Sequence, residues 1–159
     1  MAGRAQLGGR PRPAGAAAVK DAELAERHLS YRELACHDEV RTPYPAHWRR
    51  TRLPPLADTF ESLRKFLGGQ PLAVRSAYRS PAHNRSVGGA RNSQHVEGRA
   101  IDVALPRGMS ATEFHQAVRR WSESGEAPQL GAVGYYGTFV HIDTRPRRIA
   151  TWGRCLARA

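Results

Sequence analysis

Two imidazoles and a carboxylate are spaced so that the chain can gather them on one ion. His95 and Asp102 lie seven positions apart in Ser93-Gln94-His95-Val96-Glu97-Gly98-Arg99-Ala100-Ile101-Asp102, and a second imidazole follows in Phe139-Val140-His141-Ile142-Asp143. Two His and one Asp from separate segments make three ligands, the count of a catalytic zinc site whose fourth position is open to water. The N,N,O set also suits non-haem iron. The usual iron triad begins His-x-Asp and adds a later His, and no His follows His141-Ile142-Asp143, so zinc is the better match.

Strands must deliver these groups. Side chains alternate faces along a strand. In the expected strand Arg99–Leu105, Ala100, Asp102 and Ala104 share one face and Ile101 and Val103 the other. In the expected strand Phe139–Thr144, Phe139, His141 and Asp143 share a face opposite Val140 and Ile142. Paired, the two strands bring Asp102 and His141 together on a polar face and turn the aliphatic residues toward a core. His95 then arrives from a loop, with Gly98 permitting the bend. An isolated strand His is more often a surface histidine than a ligand; three compatible groups shift the balance toward a metal.

The remaining pattern is that of one domain over residues 21–159 behind a disordered basic tail at 1–20, where Gly, Ala, Pro and Arg dominate. A short helix is expected at Asp21–Arg27. Ser30–Glu33 and Ser110–Glu113 read as capping boxes. Leu56, Phe60, Leu63 and Leu67 mark a helix over about Pro55–Leu67 that ends at Gly68-Gly69. Strands are expected at Leu72–Tyr78 and Ala132–Tyr136, the latter forming a hairpin with Phe139–Thr144 around Gly137-Thr138. Residues 79–94 read as a long polar loop of the kind that carries function.

The net charge is +11, from 25 Lys and Arg against 14 Asp and Glu, and only Lys20 and Lys65 are lysines. Such a charge favours polyanions, among them anionic cell-wall polymers. No specific nucleic-acid partner is expected, because no base-stacking or helix-turn-helix pattern accompanies the arginines. No stretch reaches the roughly 20 apolar residues of a transmembrane segment, and Ala16–Val19 is too short for a signal-peptide core. Cys36 and Cys155 lack zinc-ligand spacing, and their pairing stays open.

Several motifs together are distinctive: Ser76-Ala77-Tyr78-Arg79-Ser80, His83-Asn84, Val87-Gly88-Gly89-Ala90, Ser93-Gln94-His95 with Gly98, Ala100 and Asp102, Gly134-Tyr135-Tyr136, and Phe139-Val140-His141-Ile142-Asp143. Over roughly residues 28–153 the chain resembles the zinc D-Ala-D-Ala carboxypeptidases and murein endopeptidases, whose fold is shared with the hedgehog signalling domain. The resemblance implies an α+β domain with a small central antiparallel sheet and helices packed on one side. It implies zinc (Zn2+) held by His95, Asp102 and His141. The implied partner is peptidoglycan, cut by a monomer at bonds involving D-amino acids, in the periplasm, outside the cell or as a phage-associated endolysin. The choice between carboxypeptidase and endopeptidase is open.

By the same resemblance Arg79 stabilises the developing oxyanion. Ser93, Arg79, His83 and Tyr136 are the expected substrate-binding residues. Many relatives carry an acid three residues before the last His; here that position is Thr138, which cannot act as a base. Asp143 is the nearest alternative as catalytic base. On a second register Asp143 is the ligand and His141 the base, and the first register is favoured. A zinc-containing wall-binding module with impaired catalysis is the competing reading.

Overall fold

A computed structural model describes residues 24–127, 129–146 and 149–156. The tail expected at 1–20 lies outside them, as do the first residues of the helix expected at Asp21–Arg27, of which Leu24 and Ala25 are helical. Arg147 and Arg148 are also outside.

Each helix forms where its stop and start signals stand. α1 (Tyr31–Leu34) opens on the Ser30 capping box: Ser30 Oγ accepts from the Glu33 amide, and the Glu33 carboxylate accepts from the Ser30 amide. A short 3-10 turn follows at Ala46–Trp48. α2 (Leu53–Phe66) begins two residues earlier than the apolar spacing indicates, because prolines are tolerated in a first helical turn. α3 (Pro81–Ser86) corrects the expected loop at 79–94: Ser80 caps it by accepting from the His83 amide, and Pro81 occupies its first turn. α4 (Ala111–Glu123) starts at the Ser110 capping box and buries Phe114, Val118 and Trp121.

Among the described residues five strands form one sheet: β1 (Val74–Ser76), β2 (Ala100–Ala104), β3 (Ala132–Tyr136), β4 (Phe139–Asp143) and β5 (Ala150–Gly153), in spatial order β1-β2-β4-β3-β5. The sheet is mixed. β1, β2, β4 and β3 pair antiparallel, as the expected central antiparallel sheet, and β5 adds a parallel edge strand beside β3. β4 ends at Asp143 and β5 begins at Ala150, both opposite Ala132 at the start of β3, so β5 runs alongside β3 in the same direction. The architecture is otherwise the α+β, hedgehog/DD-peptidase-like one.

One sheet face carries Ile101, Val103, Val133, Val140 and Ile142, all buried in a single core with Leu56, Phe60 and Leu63 of α2 and Phe114, Val118 and Trp121 of α4. Burial of apolar surface on this scale drives folding at about 25 cal/mol per Å². The opposite face is polar. Asp102 pairs in register with His141, His141 with Gly134, Gly134 with Trp152, and Ser76 with Asp102. One cross-strand row therefore runs Ser76, Asp102, His141, Gly134, Trp152 over all five strands. The adjacent row is Ala100, Asp143, Ala132, Ala150, so only small side chains flank Asp143. Cys36 and Cys155 are both free thiols, Cys36 buried and Cys155 half-buried.

Candidate metal centre

His95, Asp102 and His141 meet on the polar face and are all buried. His95 Nε2 is 3.0 Å from Asp102 Oδ1 and 3.1 Å from His141 Nδ1, and His141 Nδ1 is 3.0 Å from the same Asp102 oxygen. Three potential donor atoms thus form a nearly equilateral triangle. Ligands of a tetrahedral zinc at about 2.0–2.1 Å stand about 3.3 Å apart, so a small inward-facing ion fits this triangle with slight expansion.

The outer atoms fix which lone pairs face inward. His95 Nδ1 lies 2.6 Å from the Ala77 carbonyl, which only accepts, so the proton of the neutral ring is on Nδ1 and Nε2 is bare. His141 Nε2 is 3.0 Å from Asp143 Oδ2, which leaves His141 Nδ1 bare in the same way. Asp102 is acceptor-only when ionised. Three lone pairs aimed at one point repel unless a cation stands among them, and imidazoles braced by a carbonyl and a carboxylate are the usual support of metal-ligating histidines.

The electrostatics differ between the two imidazoles. Burial lowers the pKa of His95, favouring its neutral ligand form. Burial also opposes charge on His141, but Asp102 and Asp143 outweigh it and raise its pKa. Burial raises the Asp102 pKa, yet the adjoining imidazoles of His141 and His95 hold it well below the usual carboxylate range. For Asp143, bonds from His141 and Arg145 overcome burial and bring it to about 2.

Glycines shape the approach of each element. Gly98 has φ +63°, and a Cβ there would stand 2.5 Å from the Trp48 ring. Tyr44 donates to the Gly98 carbonyl at 2.6 Å, locking the bend that carries His95 back over β2. Gly134 leaves room for Trp152, whose ring lies 5.1 Å from that of His141.

A groove of about 520 Å³ opens over the triad, bounded by residues 87–94 on one side and by Tyr136, Phe139 and Trp152 on the other. Arg79 lines it and donates through Nη2 to Asp102 Oδ2 at 2.7 Å and through Nε to Ser76 Oγ at 2.9 Å. Ser93 also lines it, its hydroxyl accepting from the His95 amide at 3.3 Å. Tyr136 stacks on Phe139 with ring centroids 4.3 Å apart and accepts from Trp152 Nε1 at 2.9 Å. Asp143 is fully buried beneath His141 and bonded by Arg145. His83 does not join this groove. It is carried by α3 and borders a second groove with His37, Asp38 and Val40. Thr138 is at the exposed hairpin tip, where its hydroxyl accepts from Arg75 at 2.6 Å. Sequence reasoning missed Arg145, which stands in a basic cluster; its place two residues after Asp143 was the available signal.

A buried His-Asp-His set on a sheet, at the floor of an open groove, is the arrangement of a metal-dependent hydrolase. The peptidase M15 family profile matches residues 27–143. The chain is 33% identical over 124 residues to the peptidoglycan L,D-endopeptidase MepK of Escherichia coli (strain K12), covering 73% of this chain and 64% of that protein. It is 34% identical over 108 residues to the probable peptidoglycan L,D-endopeptidase MepK of Haemophilus influenzae, covering 62% of this chain and 53% of that one. This chain therefore belongs to the peptidase M15 family, a family of metallopeptidases. It spans less than two thirds of the length of these curated relatives.

Proposed function

We propose that this chain is a zinc-dependent endopeptidase that hydrolyses amide bonds of peptidoglycan crosslinks, at L,D linkages. The observation that carries the reading is the triangle of His95 Nε2, Asp102 Oδ1 and His141 Nδ1. The names of the relatives support the substrate and favour an endopeptidase over a carboxypeptidase. No helix among the described residues is long and apolar enough to cross a membrane.

His95, Asp102 and His141 would hold the zinc, which when bound supplies a water of lowered pKa and a Lewis acid for the scissile carbonyl. Arg79 lines the same groove as a fixed cation, tied to Ser76 and Asp102, and supports negative charge developing on the carbonyl oxygen. Ser93 and Tyr136 border the groove and orient the substrate backbone by hydrogen bonds. Asp143 serves His141: its carboxylate is engaged by His141 Nε2 and by the Arg145 guanidinium, and none of it is exposed. It is thus a positioning residue in this reading rather than the base.

The test is digestion of purified sacculi followed by mass analysis. Release of fragments cut within L,D crosslinks is expected. Loss of a single terminal residue from the stems would make the chain a carboxypeptidase. Wall binding with every crosslink intact would favour the impaired binding module instead.

A further inference from the structure

We infer that Arg145 is a substrate-binding residue that selects stem peptides carrying a free carboxylate next to the scissile amide. The inference rests on the hydrolase reading and names the charge its substrate must carry.

Arg145 is built into the groove wall. It follows β4 by two residues, and its guanidinium folds back so that Nη2 donates to Asp143 Oδ2 at 2.5 Å and Nε donates to Asp143 Oδ1 at 3.0 Å. Its Cζ lies 5.2 Å from the centre of the Trp152 ring, which itself packs against His141. Gly131 makes the space, since a Cβ there would meet the Arg145 backbone at 2.3 Å and its Cγ at 2.8 Å. Arg145 nevertheless keeps a 30% exposed side chain and lines the groove, and Nη1 makes none of its bonds to Asp143.

Charge bookkeeping then favours an anion. Arg79 pairs with Asp102 and Arg145 pairs with Asp143, so the two guanidiniums and two carboxylates cancel. A divalent ion on the triad adds two positive charges, and no other carboxylate lines this groove among the described residues. A neutral amide does not compensate them; a carboxylate beside it does. Arg145 Nη1 is a planar donor of the type that recognises carboxylates, held by its partners and so already ordered. Hydrogen bonds to charged groups are worth enough to change affinity by about tenfold or more.

Crosslinked muropeptides are compared with the same material after conversion of its free carboxylates to carboxamides. The wild-type protein is expected to prefer the acid form by about tenfold in kcat/KM, mainly through KM. Arg145→Gln should erase the preference, and Arg145→Lys should retain part of it. The ratio of acid to amide isolates the recognition role, because loosening of Asp143 and His141 slows both substrates alike. Equal cleavage of both forms by the wild type, or equal losses on both in Arg145→Gln, would overturn the inference. Calorimetric titration with a stem tetrapeptide, as acid and as amide, reads the preference without turnover. If no crosslink is cut, the hydrolase reading fails, while tighter binding of the acid that disappears in Arg145→Gln still supports the role of Arg145. Equal binding of acid and amide overturns it.

Discussion

Asp102 and His141 are directly opposed across the β2–β4 pair, with Asp102 Oδ1 and His141 Nδ1 3.0 Å apart. Register therefore builds two corners of the candidate metal triangle, and a slip of one residue in either strand would send that strand's group to the apolar face. The third corner depends on a loop held by Gly98. The centre is thus as rigid as the sheet in two of its three ligands.

Removing the brace on His141 should weaken the site without removing a ligand. Asp143→Asn keeps an acceptor of the same shape but loses the charge; Asp143→Ala loses both. Zinc affinity is expected to fall by about tenfold in the first and by up to about a hundredfold in the second. Competition titration against a chromophoric chelator measures this directly.

Gly134 is required by the Trp152 ring. A methyl group there would approach Trp152 Nε1 to 2.6 Å, and the indole must move. Gly134→Ala should displace Trp152 from His141 and break its bond to Tyr136, at a cost of about 1–3 kcal/mol. A lower thermal midpoint, a changed tryptophan emission and reduced hydrolysis are the expected readouts.

Thr138 stands where the family resemblance implies an acid, and its hydroxyl accepts from Arg75 at the hairpin tip. Thr138→Ala is expected to change the hydrolysis rate by no more than about twofold, in line with an exposed surface substitution. A steady-state assay on crosslinked muropeptides checks it.

Asp38 ties the segment before α2 to the start of α3. It accepts from the Thr42 amide at 2.7 Å, from Thr42 Oγ1 at 2.6 Å and from Ser80 Oγ at 3.2 Å. The Thr42 hydroxyl and amide bonds lower its pKa from 3.8 to about 2. A depressed carboxylate pKa stabilises the folded state above the unfolded value and loses that effect as pH falls through the folded one. The midpoint difference between wild type and Asp38→Asn should therefore be full at pH 6 and shrink as pH falls from about 4 to about 2. Thermal unfolding across that range measures it.

Local signals carried much of this in the sequence. Both capping boxes mark helix starts, and the alternation in residues 100–104 and 139–143 assigns Asp102 and His141 to one face. Gly98 and its bend were legible too. The edge strand β5 was not: it is four residues long, follows an Arg- and Pro-rich run, and is defined by pairing with β3 rather than by its own pattern. α3 was announced by Ser80-Pro81 but hidden by the polar character of residues 79–94. Its formation carries His83 to another groove. The place of Asp143 beneath His141 became visible only with the partners of its carboxylate, His141 and Arg145.

The most direct measurement is hydrolysis of crosslinked muropeptides as a function of zinc occupancy, with bound zinc quantified on the same samples. Chelated protein should be inactive, activity should return in proportion to zinc up to one ion per chain, and Asp102→Ala should neither bind the ion tightly nor cut. Full cleavage by the metal-free protein, or intact crosslinks with one zinc bound, would contradict a hydrolase centre made by His95, Asp102 and His141.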